Sequence, residues 1–406
     1  MFILLVGLVA GGAQVAGAGI THLQACDNLP TCRYDSAATT TRWKTDDDVA
    51  ASLVGAAERG DAAAVQALLE GGASVGAQDT NGRTALMGAS MAGHATVVQA
   101  LLEAGAGVDS QQSDGVTALM LSAMHGRTKV AQALLAAGAD VDGQSKGGRS
   151  ALMAAANFGH TETVQALLEA GASADAQQKN GDSALIFASK KGHTETVRAL
   201  LKAGASLDVR NNEGATVLWL AATGGHSEVV RVLLEAGHKE AFVNGVTVLM
   251  GASGQGRTEV VNALLEAGAS VDTRDKDGAT ALTYASIQGR TEVVRALLEA
   301  GASVDAQATE GGTALISAAV AGRTDVVHAL LEAGASVDLQ SKDGWTALMV
   351  ASVKGHAEVA EVLLGAGASL AKTDAGGKTA SDHASEHPTV LALLAEAEAG
   401  QRDELR

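Results

Sequence analysis

A glycine recurs along this chain at nearly constant spacing, and this periodicity constrains the fold more than any other feature of the sequence. Each of these glycines is followed two residues later by Thr or Ser, and then by Ala or Val. From first to last the glycines are separated by eight steps of 33 residues and one of 31. Repeats of this length are typical of architectures in which one small helical or stranded unit stacks on the next. The repeated glycines are Gly82, Gly115, Gly148, Gly181, Gly214, Gly245, Gly278, Gly311, Gly344 and Gly377.

The residues around each glycine predict two helices and a turn. Asn81-Gly82 is a turn dipeptide, because both residues tolerate positive φ. Thr84 precedes an apolar run, where its hydroxyl can cap free helix amides, and Gly93 then ends that helix. A second apolar run with helical spacing, from Val97 to Leu102, stops at Gly105. Each unit is therefore a helical hairpin that follows a protruding turn.

The complete unit resembles the ankyrin repeat. The likeness rests on the turn glycine, on Thr-Ala-Leu, on Gly followed by His or Arg, on paired Val and Leu residues, and on Gly-Ala, and it covers roughly residues 46–398. It implies an all-α repeat solenoid, in which stacked helix-turn-helix units carry β-turn fingers and each unit buries its apolar face against its neighbours. The sequence departs from the family pattern where Ala85 and Met87 replace the expected Pro and His.

This interpretation divides the chain into three parts. Residues 1–45 form a signal-like apolar leader and a short linker that carries Cys26 and Cys32. Residues 46–398 form the array of about eleven units, with 46–77 as the N-terminal cap and 374–398 as the C-terminal cap, and residues 399–406 form a polar tail. The single 31-residue step predicts a truncated finger within 237–244.

The first residues resemble a secretory signal. Phe2 to Ala10 is almost wholly apolar, and Ala16-Gly17-Ala18 fits a signal-peptidase site, although the usual positive start is missing. We therefore expect the protein to be located in the secretory pathway or the extracellular space. An uncleaved N-terminal membrane tether and a cytoplasmic protein are the alternatives. Cys26 and Cys32 are either a small disulfide loop or two unpaired thiols.

Charge and composition exclude some functions. The formal net charge is −17, which argues against a nucleic-acid partner, because such binding depends on Lys and Arg. Apolar residues make up 47% of the chain but aromatic residues only 2%. The chain should therefore fold, with a core made from small side chains.

Two histidine patterns invite a metal interpretation. His383-Ala-Ser-Glu386-His387 matches a zinc-protease motif, but Pro388 follows at once and should end any helix there. The second pattern is a position just before the second helix that holds His in some units and Arg in others. Arg is no ordinary metal ligand, but both types donate hydrogen bonds, so we expect these residues to tie the inter-helix turn to neighbouring carbonyls. The position is occupied by His94, Arg127, His160, His193, His226, Arg257, Arg290, Arg323 and His356.

The sequence thus predicts a protein-binding scaffold with no catalytic, cofactor or metal site. The resemblance implies that an unidentified protein partner binds through the turn tips and the concave face. The alternatives are a regulatory or targeting subunit that inhibits or positions an enzyme, and an enzyme built on His383 and His387. Binding residues should occupy the least uniform positions, which follow the turn glycines or end the first helices, and Val320 and Val353 are among them. Our candidates are Trp345, Phe158, Arg149, Lys190, Lys191, Met91, Met124, His125 and Ile287.

Overall fold

A computed structural model of the chain describes residues 32–35, 40–43, 46–238, 242–243 and 245–404. The predicted signal segment and Cys26 lie outside these residues. The chain divides into two compact bodies, an N-terminal body, Met1–Asn212, and a C-terminal body, Glu213–Arg406. Each body is an all-α repeat solenoid, as the sequence predicts.

The N-terminal body begins with an antiparallel strand pair, β1 and β2, in the segment that the sequence assigned to a linker. First helices and second helices then alternate along the chain. The elements are β1 (Cys32–Asp35), β2 (Thr40–Trp43), α1 (Asp46–Glu58), α2 (Ala62–Glu70), α3 (Ala85–Ala92), α4 (Ala95–Glu103), α5 (Ala118–Met124), α6 (Thr128–Ala136), α7 (Ala151–Asn157), α8 (Thr161–Glu169), α9 (Ala184–Lys191) and α10 (Thr194–Lys202).

The C-terminal body repeats this order and adds one strand pair at the shortened unit. Its elements are α11 (Val217–Gly224), α12 (Ser227–Glu235), β3 (Phe242–Val243), β4 (Val246–Thr247), α13 (Val248–Gly254), α14 (Thr258–Glu266), α15 (Ala281–Ile287), α16 (Thr291–Glu299), α17 (Ala314–Val320), α18 (Thr324–Glu332), α19 (Ala347–Lys354), α20 (Ala357–Gly365), α21 (Ala380–His383) and α22 (Pro388–Glu404).

Local signals fix the ends of the helices, as α3 illustrates. Thr84 precedes this helix, and its hydroxyl accepts a hydrogen bond from the Met87 N–H at 3.3 Å. Gly93 ends the helix with φ of 94°, a left-handed conformation that favours glycine. Because equivalent Thr or Ser residues cap the first helices of the other complete units, each hairpin begins at the same register.

Stacking closes the core within each body. Successive first helices pack on one another, and successive second helices do the same. The second helices bury one leucine per unit completely, at Leu101, Leu134, Leu167 and Leu200 in the N-terminal body. Burying a leucine side chain contributes about 1.5–3 kcal/mol, so an isolated hairpin would lose most of its stabilisation.

The fingers are joined by main-chain hydrogen bonds. The Lys146 N–H donates to the Asp114 carbonyl at 2.8 Å, and the Thr309 N–H donates to the Asp277 carbonyl at 2.8 Å. In the shortened unit a finger remains, because β3 and β4 pair around Gly245, whose φ is 82°. The predicted truncation therefore leaves a short hairpin in place of an irregular junction.

The last helix extends into the segment that the sequence assigns to a polar tail, residues 399–406. α22 continues to Glu404 and includes Gly400. Glycine in a helix interior costs about 1 kcal/mol relative to alanine, so Gly400 weakens this part of the helix.

Two large aromatic side chains lie within the stack of the C-terminal body. The Trp219 ring lies over Gly251 of the next unit, where an added Cβ would come within 2.7 Å of the ring. The Tyr284 hydroxyl donates to Asp275 Oδ2 at 2.8 Å, which ties α15 to its own finger. Both side chains are half-buried, and each is held by a specific neighbour.

Candidate binding surface

The residue that precedes each second helix reaches back to the preceding unit. In the N-terminal body, His160 Nε2 donates to the Met124 carbonyl at 3.0 Å, and Arg127 Nε donates to the Met91 carbonyl at 3.1 Å. We call such a contact a rung, the His or Arg its donor, and the residue that supplies the carbonyl its acceptor. The rungs described are His94 to Glu58, Arg127 to Met91, His160 to Met124, His193 to Asn157, Arg257 to Thr223, Arg290 to Gly254, Arg323 to Ile287, His356 to Val320 and His387 to Val353.

These contacts confirm the predicted role of the alternating His and Arg residues. Since a carbonyl only accepts, each of these histidines carries a proton on Nε2. The donor also covers a glycine of the preceding unit. A Cβ at Gly126 would lie 2.6 Å from the His160 ring, and a Cβ at Gly93 would lie 2.7 Å from Arg127. The inter-helix glycine is thus required both by its positive φ and by the donor packed on it.

A rung uses the main chain of its acceptor and leaves the side chain unconstrained. The acceptors include Met91, Met124, Asn157, Ile287 and Val353, which differ in size and polarity. Sequence variation at this position therefore has a structural explanation, because the stack is held whichever side chain is present.

The residues that follow the turn glycines reach the first helices. The Arg149 guanidinium lies 5.3 Å from the centre of the Phe187 ring on α9. Trp345 stacks on His383 of α21, with 4.3 Å between ring centres. Arg83 pairs with Glu58 of α1 at 2.7 Å. We define the finger–helix surface of each body as the residues that follow the turn glycines, together with the C-terminal ends of the first helices.

Most of the predicted binding residues of the N-terminal body are accessible on this surface. His125, Lys190 and Lys191 are exposed, and Phe158 is the most exposed large apolar side chain among the described residues, at 49%. The remaining candidates of this body, Met91, Met124 and Arg149, are half-buried.

The C-terminal body places the candidates differently. Ile287 is exposed, and Val320 and Val353 occupy the equivalent position in the next two units, so three aliphatic side chains follow one another along the body. Trp345, which we expected to be an exposed anchor, is half-buried, because the His383 ring covers one of its faces. The structure also shows two residues that the sequence did not single out, Phe187 beneath Arg149 and the exposed Leu391 on α22.

The comparisons with known proteins agree with this architecture. A family model of three ankyrin repeats matches residues 53–145, 137–211, 204–275 and 249–341, and a second ankyrin model matches residues 330–384. The chain belongs to the ankyrin repeat family. It is similar to the crystal structure of the human ASB11 ankyrin repeat domain, with 32% identity and a TM-score of 0.50 over 54% of this chain and 98% of that one. No match was found among curated proteins.

Ankyrin repeats generally mediate protein–protein interaction and are typically non-catalytic modules. In this ankyrin protein, the residues of the zinc-like motif have structural partners. His383 ends α21, and its Nε2 lies 2.9 Å from Asp374 Oδ2, whereas the His387 Nε2 donates to the Val353 carbonyl as a rung donor. Within the described residues, no group of three or more His, Cys, Asp or Glu side chains is placed to hold a metal ion.

Hydrogen bonds at the last finger of the ankyrin array also stabilise a charge. The Lys378 backbone N–H, assisted by His383 and the Gly376 N–H, lowers the pKa of Asp374 below its ordinary value. The ionised carboxylate thus holds both the turn and the ring that covers Trp345.

None of the described helices combines the length and the hydropathy that a membrane span requires.

Proposed function

We propose that this protein is a non-catalytic scaffold that binds a partner protein through the finger–helix surfaces of its ankyrin units. The observation that carries this proposal is the separation of structural and variable positions. Caps, rungs and buried leucines hold the stack, whereas the acceptor side chains and the residues after the turn glycines remain outside that framework. Exposed aromatic and arginine side chains are the usual anchors of protein interfaces, and exposed apolar side chains beside them add area that a partner can cover.

Two exposed side chains give the sharpest test, one on each body. Phe158→Ala and Ile287→Ala each remove an exposed apolar side chain and keep the backbone contacts of that residue. The Phe158 N–H still donates to the Ala155 carbonyl, and the Ile287 carbonyl still accepts from Arg323 Nε. Leu391→Ala is the matched control, because Leu391 is exposed to 41% but lies on α22, away from the finger–helix surface. All three variants should keep the helical circular dichroism of the parent.

The full chain and its variants would be used to capture partner proteins under native conditions. We expect a partner retained by the parent chain and by Leu391→Ala, and lost or weakened with Phe158→Ala or Ile287→Ala. Equal capture by all four proteins would place binding elsewhere. If the captured complex has an enzymatic activity that the chain changes, the protein is a regulatory or targeting subunit.

A further inference from the structure

We infer that the finger–helix surface of the N-terminal body binds an acidic peptide segment that also carries apolar side chains. This inference rests on the proposed function and adds the chemistry of the partner. It concerns the part of the surface formed by Arg149, Phe158, Phe187, Lys190 and Lys191, which we call the basic patch.

The basic patch opposes the charge of the whole molecule. The chain has a net charge of −17, yet this patch carries three cationic side chains on two neighbouring units. Arg149 follows a turn glycine, and Lys190 and Lys191 end α9. Among the described ion pairs, none involves Arg149 or Lys191. A surface that concentrates one sign of charge attracts a partner of the opposite sign.

The acidic side chain on the finger that precedes α9 is buried and hydrogen-bonded. Asp182, which follows a turn glycine, is 5% exposed and accepts from Asn180 Nδ2 at 3.0 Å and from Asn211 Nδ2 at 3.3 Å. The charged side chains that define the basic patch, Arg149, Lys190 and Lys191, are all cationic, and both lysines are exposed.

Aromatic rings accompany these cations and favour a peptide. The Arg149 guanidinium lies over the Phe187 ring, and Lys191 follows Phe187 by four residues on α9, which places both side chains on one face of the helix. Phe158 adds an exposed ring on the preceding unit. A segment that alternates carboxylates with apolar side chains can pair with the cations and cover this ring. A long polyanion such as a nucleic acid would also face the acidic remainder of the chain, which repels it.

The test measures the binding of labelled peptides to the full chain by fluorescence anisotropy. The probe is a peptide of alternating Glu and Leu, and the reference peptide replaces every Glu by Gln. We expect the Glu peptide to bind about tenfold or more tightly than the Gln peptide, with a difference that shrinks as salt is added. Equal affinity for the two peptides would overturn the inference, as would a single-stranded oligonucleotide that binds more tightly than the Glu peptide.

Two double variants separate the basic patch from the overall charge. R149E/K191E reverses two cations of the patch, whereas K129E/K202E makes the same change in net charge on the second helices α6 and α10, at two exposed lysines. We expect the first variant to weaken binding of the Glu peptide about tenfold and the second to change it by less than about twofold. Equal weakening by both variants would show that only the net charge matters.

The outcomes for this inference and for the proposed function are distinguishable. If R149E/K191E captures the same partner as the parent, while Phe158→Ala or Ile287→Ala loses it, the scaffold role stands and the acidic partner is excluded. If the Glu peptide binds at the basic patch but no partner depends on Phe158 or Ile287, the inference stands and the proposed anchors are wrong.

Discussion

Removing one rung donor should weaken the stack locally, and His193 is the most informative place to do so. Its Nε2 donates to the Asn157 carbonyl at 3.1 Å, and its ring covers Gly159. His193→Leu keeps an apolar side chain on the glycine but has no donor. His193→Arg keeps a donor, because Arg127 makes the same rung in the same body.

The expected magnitude follows from the geometry of the rung. A hydrogen bond contributes about 0.5–1.5 kcal/mol, and a carbonyl left without a partner adds a further cost when water cannot replace the donor. Because the His193 side chain is only half-buried, water can reach the Asn157 carbonyl in part. We therefore expect His193→Leu to lower the free energy of unfolding by about 1–2 kcal/mol, and His193→Arg to change it by less than about 0.5 kcal/mol.

Amide hydrogen exchange on the full chain measures this effect where it occurs. In a repeat array each unit contacts only its neighbours, so the loss should be confined to nearby units. Exchange in α7 to α10 should become about 5–30-fold faster with His193→Leu, while exchange in α1 and α2 stays unchanged. If His193→Leu and His193→Arg accelerate exchange equally, or if neither does, the donor does not stabilise the stack in the way we describe.

Three further predictions concern packing and ionisation. Ser90→Ala should raise the free energy of unfolding by about 0.5–1.5 kcal/mol, because the buried Ser90 hydroxyl has no hydrogen-bond partner. Ser122→Ala should lower it by about 1 kcal/mol, because the Ser122 hydroxyl donates to a carbonyl at 2.8 Å. Urea unfolding measures both changes. Gly251→Ala should lower the free energy of unfolding by about 1–3 kcal/mol, because the added Cβ would lie 2.7 Å from the Trp219 ring. Gly254→Ala is the matched control in the same assay. Its Cβ would lie 3.6 Å from the nearest neighbouring atom, so the better helix propensity of alanine should raise the free energy of unfolding by up to about 1 kcal/mol. Burial and a hydrogen bond to a carboxylate raise the pKa of Tyr284 from 10.0 to about 12. The contribution of the neutral Tyr284 side chain to the free energy of unfolding is therefore complete below pH 10 and is lost as the pH rises through 12. Absorbance titration of the parent and of Tyr284→Phe would show this.

The architecture was predictable because its signals are local and repeated. Thr84 caps its helix and Gly93 ends it within a single unit, and the same types recur in the others. The rung donors were predictable for a different reason. His and Arg share little except hydrogen-bond donors, so their exchange at one position already indicates the contact that they make.

Features that depend on a single unit were not predictable. The exposure of Trp345 depends on His383, which belongs to the atypical last unit and stands where no other complete unit has a histidine. Similarly, the Phe187 ring belongs to the proposed basic patch only because Arg149 of the preceding unit lies over it. Neither contact leaves a periodic signal in the sequence.

A rung that ends on the main chain has a consequence for how such a gene can change. Two units that are shortened at different places show this. Arg257 still bonds the Thr223 carbonyl across the 31-residue step. His387 still bonds the Val353 carbonyl, although the first helix and turn before His387 are together two residues shorter than in the other units. The rung between two units therefore forms whichever side chain the acceptor carries. When recombination duplicates, deletes or shuffles whole units, the rung at each new junction can form without a compensating substitution in the acceptor.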